Sequence, residues 1–284
     1  MLICRDAASM HTWSRLQHAQ RRRIACVPTM GALHAGHLAL IEEAHRVSDA
    51  VAVSIFVNPL QFNRHDDFDK YPRPIDADVE ACRAAGVDVV YAPTAAMMYP
   101  QGFQTHVQPG PLAESLEGSG RPGHFRGVTT VVAKLFGAVQ PDVAVFGRKD
   151  FQQLAIIRRM VVDLDMDIEI IELPTVREAD GLAISSRNAR LSADDRAASV
   201  CINQSLRLAA DAIAAGETDS APLIAIASSR IAAEPRARLE YIAVIDPLTL
   251  DPVPTVTQPA IVVAAVWFGG VRLIDNLPVS PDQR

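Results

Sequence analysis

The stretch Ile24-Ala25-Cys26-Val27-Pro28-Thr29-Met30-Gly31-Ala32-Leu33-His34-Ala35-Gly36-His37-Leu38 passes from apolar to glycine-rich to helical. Residues 24–27 form a short apolar run of the kind that makes a buried strand. Beyond the run, Leu38, Leu40, Ile41, Ala44 and Val47 recur at helical spacing. Two histidines three residues apart therefore fall where a strand turns into a helix. The first N–H groups of a helix have no partner inside it, and the helix dipole adds partial positive charge. Such a junction binds anions, phosphate foremost. Gly31 and Gly36 lack Cβ, which lets a ligand approach the backbone. His34 and His37 at i, i+3 also share a helical face and open a zinc reading. Zinc needs a further ligand, and no CxxC or HExxH accompanies the pair.

The same strand–loop–helix grammar repeats downstream. Ala50-Val51-Ala52-Val53-Ser54-Ile55-Phe56-Val57 is the near-continuous apolar run of a strand covered on both faces. It ends in Asn58-Pro59-Leu60-Gln61-Phe62, at the strand end where open α/β sheets bind ligands. The amides of Asn58 and Gln61 suit a hydroxyl or carboxylate oxygen, or else they close the loop through local bonds to the backbone. The polar stretch His65-Asp66-Asp67-Phe68-Asp69-Lys70 reads as a loop or short helix. Asp76 and Asp78 follow Pro74 in the first turn of a helix, where acids suit the dipole. Alternatively one of them supports a magnesium ion through water.

Residues 116–127 are dense in glycine, arginine and histidine ahead of a helix over 128–139, which suggests a binding loop or a plain connector. The strand at 143–146 runs into Gly147-Arg148-Lys149-Asp150-Phe151-Gln152-Gln153. Here Lys149 and a helix start make a second anion site, or a surface salt bridge. After a last strand at 168–173, Ile184-Ser185-Ser186-Arg187-Asn188 offers two hydroxyls and a guanidinium suited to phosphate oxygens. Two helices and strands near 239–245 and 260–268 complete the chain, with no chemistry read beyond Arg190. Strand–helix alternation predicts an α/β fold: a doubly wound, Rossmann-like parallel sheet over residues 1–175, then a smaller α+β domain over 176–284.

Composition narrows the function. The 284 residues carry a net charge of −6, 49% hydrophobic and 21% charged residues, which argues against a general nucleic-acid binder. No apolar run reaches membrane-spanning length, and the N-terminus lacks the layout of a signal peptide. Cys4, Cys26, Cys82 and Cys201 are scattered and read as reduced core thiols of a cytoplasmic protein. Of 27 basic residues only Lys70, Lys134 and Lys149 are lysine, so a lysine at an anion site stands out.

The longer motifs carry a family resemblance. Pro28-Thr29-Met30-Gly31-Ala32-Leu33-His34-x-Gly36-His37, Phe56-Val57-Asn58-Pro59-x-Gln61-Phe62, Tyr71-Pro72-Arg73, Leu116-Glu117-Gly118, Arg121-Pro122-Gly123-His124-Phe125-x-Gly127-Val128, Gly147-x-Lys149-Asp150-x-Gln152-Gln153 and Ser185-Ser186-Arg187-Asn188 resemble the pantothenate synthetase (pantoate–β-alanine ligase) family. Ala35, Asn63, Ala77 and Ile184 depart from its usual residues. The resemblance implies condensation of pantoate with β-alanine by ATP through a pantoyl adenylate, with Mg²⁺, releasing AMP and pyrophosphate. It implies catalytic roles for His37, His34, Lys149 and Arg187. Met30, Gly31, Ala32, Leu33, His34, Ala35, Gly36, His37, Gly147, Arg148, Lys149, Asp150, Val176, Ile184, Ser185, Ser186 and Arg187 would hold ATP. Gln61, Gln153 and Asn58 would hold the pantoate and β-alanine substrates, with Asp78 supporting the metal. The second domain would act as a lid, and a homodimer is expected from the resemblance alone.

Overall fold

The computed structural model describes residues 1–63 and 68–281; the stretch at His65, Asp66 and Asp67 lies outside the described residues. The chain divides into two compact units. One holds Met1–Gly147 and Gln152–Pro174, and the other holds Arg148–Phe151 with the described chain from Thr175 on. Chain order does not reveal that the four residues around Lys149 group with the later unit.

The first unit is built on strands β1 (Leu2–Cys4), β2 (Ile24–Thr29), β3 (Ala50–Ile55), β4 (Val89–Tyr91), β5 (Val143–Gly147) and β6 (Glu169–Leu173). All pair in parallel, in the order β1-β4-β3-β2-β5-β6. Successive side chains of a strand point to opposite faces. Ile24 and Cys26 accordingly join one core and Ala25 and Val27 the other. Helices α1 (Ala7–Ala19), α4 (His124–Val139) and α5 (Phe151–Asp163) cover the first face through Met10, Trp13, Val128, Leu135, Leu154 and Ile157. Helices α2 (Ala35–Val47) and α3 (Ile75–Ala84) cover the second through Ile41, Ala44 and Cys82. Burying each large aliphatic side chain contributes about 1.5–3 kcal/mol, which explains why both faces of this sheet read as apolar. The sheet is the expected doubly wound one. It grows outward from β2 on both sides, through β3 and through β5, so the strand order reverses at β2. The loop after β2 therefore leaves the sheet at its switch point, where such folds bind ligands.

α1 stops at Ala19, ahead of Arg21-Arg22-Arg23, where the chain turns at Arg21 with φ +57°. One helix differs from the sequence reading. α4 begins at His124, four residues before the apolar pattern starts, after Gly123 turns the chain with φ +78°.

In the second unit β7 (Ala237–Ile245), β8 (Ala260–Phe268) and β9 (Val271–Val279) form an antiparallel sheet with β8 central. Helices α6 (Cys201–Ala214) and α7 (Ser220–Ala232) pack Ile202, Leu206, Leu223 and Ile231 against Val262, Ala264, Val266 and Phe268 of β8. β9 was not expected, since Arg272, Asp275, Asn276 and Pro278 interrupt its apolar pattern. No helix among the described residues is long and apolar enough to cross a membrane.

Candidate active site

The loop after β2 is fixed from within the protein. Thr29 Oγ1 donates to the Ser54 carbonyl at 2.7 Å and accepts the Gly31 N–H at 3.1 Å. Gly31 (φ +81°) and Ala32 (φ +51°) then take left-handed conformations in succession. This turn aims the N–H groups of Ala32 and Leu33 at Asp78, whose two carboxylate oxygens accept them at 2.8 Å each. Asp78 is only 3% exposed. Asp78, the residue from which a metal role is expected, thus also acts as a clamp, each of its oxygens holding one N–H of the loop. The Ala32 and Leu33 amides, expected at a phosphate, are occupied for the same reason. Gly31 also serves the interior: a Cβ there would lie 2.8 Å from Asp78 Oδ2 and 3.2 Å from Ile55 Cγ2.

His34 is the extended N-cap of α2, and its N–H donates to His37 Nδ1 at 3.3 Å. The two rings stack with centroids 4.0 Å apart. An imidazole nitrogen that accepts carries no proton, so in the neutral ring the His37 proton sits on Nε2. His37 is thus prepared as a donor through Nε2 at a helix N-terminus. Gly36 makes room for this arrangement, since its Cβ would fall 3.0 Å from His34 Cε1. The His34 ring lies in the gap left by that glycine.

Gln61 sits on a 3₁₀ turn, Pro59–Gln61, following β3. Asn58 is 1% exposed, and its polar atoms are all engaged inside the protein. Its Nδ2 donates to Gln61 Oε1 at 2.9 Å and to the Gly127 carbonyl at 3.0 Å. Its Oδ1 accepts from Tyr99 Oη at 2.7 Å and from the Leu60 N–H at 3.3 Å. Asn58 therefore orients Gln61, where the sequence had it touching substrate. The Gln61 Nε2 lies 3.2 Å from Met30 Sδ, a weak acceptor, so this N–H₂ is the donor left for a ligand. The Gln61 carbonyl accepts from His124 Nδ1 at 2.8 Å and Arg121 Nη2 at 3.3 Å. Arg121 Nη1 is 3.2 Å from His124 Nε2. A guanidinium only donates, so this contact has His124 Nε2 accepting and leaves Nδ1 to donate to the Gln61 carbonyl. α4 approaches this turn so closely that a Cβ on Gly127 would run into the Leu60 carbonyl oxygen. Tyr99, Arg121, His124 and Gly127 are support that the sequence reading did not assign; the density of special residues at 116–127 was its visible trace.

Gln152 closes the 112–117 segment, accepting the Glu117 N–H at 2.9 Å and donating to the Leu112 and Ser115 carbonyls at 2.8 Å each. Its neighbour Gln153 is half-buried in the first turn of α5.

The second unit carries the other predicted residues. Arg148, Lys149 and Asp150 form a 3₁₀ turn after Gly147. The Lys149 side chain is 17% exposed, and Asp150 Oδ1 lies 3.9 Å from its Nζ, the outer limit of an ion pair. Val176 and Ile184 are brought together, the Ile184 N–H donating to the Val176 carbonyl at 3.0 Å in a hairpin. Ser185 caps the turn Ser186–Arg190 by accepting the Arg187 N–H at 3.3 Å. Ser185, Ser186 and Arg187 are all partly accessible.

The four thiols are free and buried, and burial pushes Cys26 up to about 12 and Cys82 and Cys201 up to about 11. These three are inert as nucleophiles at neutral pH, which excludes them from thioester chemistry. Among the described residues no three histidine, cysteine or acidic side chains converge as a metal site.

The model of one protein family, Pantoate-beta-alanine ligase, matches residues 2–278. This chain belongs to that family. It is 48% identical over 280 residues to the pantothenate synthetase of Heliobacterium modesticaldum, covering 99% of this chain and 100% of that one. The crystal structure of pantothenate synthetase from Thermus thermophilus is similar at a TM-score of 0.93 and 43% identity, over 99% of this chain and 100% of that chain. A pantoate-β-alanine ligase from Francisella tularensis, complexed with β-γ ATP and β-alanine, is similar at a TM-score of 0.81 and 33% identity, over 99% and 100%. The reaction of the family is ATP-dependent ligation of pantoate and β-alanine, and this chain is a ligase of that kind.

Proposed function

We propose that the ligation runs through a pantoyl adenylate and that the residues above divide the work as follows. A pantoate carboxylate oxygen attacks the α-phosphorus of ATP, and the bond to pyrophosphate breaks. The β-alanine amine then attacks the acyl carbon, AMP leaves with its oxygen, and the amine gives up a proton. Phosphoryl chemistry of this kind needs positioning and charge stabilisation more than covalent help. His37 donates from Nε2 to a phosphate oxygen as negative charge grows there, with His34 stacked beside it. Lys149 and Arg187 neutralise the α-phosphate and the departing pyrophosphate. Gln61 and Gln153 hold the hydroxyls and carboxylate of pantoate. Magnesium would enter with the ATP phosphates and supply charge neutralisation there. Backbone around Met30, Ala35, Gly147, Asp150, Val176 and Ile184 lines the nucleotide. The family resemblance further supports a cytoplasmic homodimer.

The observation that carries this reading is the His34 N–H donated to His37 Nδ1, which presents a proton at a helix start suited to phosphate. Incubating the protein with ATP, Mg²⁺, pantoate and β-alanine and separating the nucleotides tests it. AMP and pyrophosphate are expected in equal amounts with pantothenate. ADP and phosphate would mean that the carboxylate is activated as an acyl phosphate, and the reading would fail.

A further inference from the structure

We propose that Asn276 is a positioning residue for adenylation, holding the turn that presents Lys149; this rests on the phosphate role given to Lys149 above. Asn276 lies on β9, paired with Val263 of β8, and is 3% exposed. Its Nδ2 donates to the carbonyls of Arg148 and Lys149, each at 2.9 Å. Both partners can only accept, so the amide end facing the turn is the N–H₂, and its two hydrogens match two carbonyls. The other end, Oδ1, is buried with no hydrogen-bond partner among the described residues. An amide kept in place despite an unmatched buried oxygen is kept for its donors.

The backbone of Asn276 is held as firmly as its side chain. Asp275, 4% exposed, accepts the Asn276 N–H at 2.7 Å. Arg177 grips Asp275 with two bonds of 2.6 and 2.9 Å and donates to the Asn276 carbonyl at 3.2 Å. Adjacent strand residues face opposite ways, so Asp275 turns to Arg177 while Asn276 turns to the lysine turn. Arg177 itself bridges to Ala183, directly before Ile184 and the Ser185–Arg187 turn. One hydrogen-bonded frame thus runs from the Lys149 backbone through Asn276, Asp275 and Arg177 to the segment bearing Arg187. The Asn276 side chain sets the turn that bears Lys149, and Arg177 sets the segment that bears Arg187.

A double-mutant cycle tests the proposal, with single-turnover adenylate formation from ATP and pantoate as the readout and thermal unfolding as the check on the fold. Lys149→Gln is expected to lose about a hundredfold or more. Asn276→Ala is expected to lose about tenfold to a hundredfold in the rate, since a misplaced group costs that much, with pantoate affinity unchanged. In the Lys149→Gln background Asn276→Ala should cause no further loss, because residues that act through one another do not add. If Asn276→Ala does not fold, Asn276→Ser, with a single donor on a shorter arm, takes its place in the cycle. An equal fractional loss in both backgrounds would make Asn276 a general structural residue and overturn the proposal. A wild-type rate for Lys149→Gln would instead overturn the role of Lys149, and the proposal with it.

Discussion

Asp78→Asn separates a clamp from a metal support. The wild-type carboxylate accepts two N–H groups at 2.8 Å each, those of Ala32 and Leu33. The amide keeps one acceptor oxygen and turns an N–H₂ towards the other donor. One buried N–H is then left unmatched, costing about 1–3 kcal/mol, and the surviving bond falls from charge-assisted to neutral, costing about 1 kcal/mol more. The sum is about 2–4 kcal/mol, a large part of the roughly 5–15 kcal/mol that holds a typical domain. The clamp also opposes local strain, since the left-handed Ala32 costs about 1–2 kcal/mol by itself. With the clamp weakened, the loop relaxes and carries His34 and His37 away from their places. Urea unfolding should show a midpoint lowered by on the order of 1 M. Single-turnover adenylate formation should slow about a hundredfold, with its magnesium dependence unmoved. Unchanged stability together with a raised magnesium requirement would refute the clamp and return Asp78 to the metal.

Other substitutions probe the remaining parts. His37→Ala should lower turnover by about 100- to 1,000-fold through loss of the Nε2 donor, and stability by about 1 kcal/mol through loss of the acceptor for the His34 N–H; near-normal turnover of the purified variant would remove His37 from the chemistry. Gln61→Ala and Gln153→Ala should each raise the KM for pantoate about tenfold to a hundredfold with the KM for ATP little changed; a shift in ATP alone would assign them to the nucleotide. Gly127→Ala should push the 60–61 turn aside, since its Cβ would meet the Leu60 carbonyl carbon at 2.5 Å and the Gln61 nitrogen at 2.7 Å. Its KM for pantoate should rise as in Gln61→Ala, and a wild-type value would show that the turn does not depend on α4.

What the sequence reveals is what short-range pattern encodes. β2, β3 and α2 follow from apolar runs and helical spacing, and the parallel sheet follows from their alternation. Partnerships across long separations leave no local trace. Asp78 reads as an ordinary first-turn acid because the loop it clamps is 46 residues away from it at Ala32. Asn58 looks available until Tyr99 and Gly127 are folded onto it. Asn276 looks like a flaw in an apolar stretch, and β9 was missed with it; its polar residues answer Arg177 and a turn 128 residues earlier. Gly31, Gly36 and Gly127 announce close approaches, but only the fold shows that the approaching groups are Asp78, His34 and Leu60.

The adenylate is the centre of the account, and isotope exchange tests it most directly. If pantoate is adenylated before the amine is needed, the first half-reaction must run alone and in reverse. The protein with ATP, Mg²⁺, pantoate and labelled pyrophosphate, and no β-alanine, should move label into ATP. Omitting pantoate should abolish that exchange. No exchange in the complete mixture, from protein that makes pantothenate at full rate once β-alanine is added, would contradict a free-standing adenylation step.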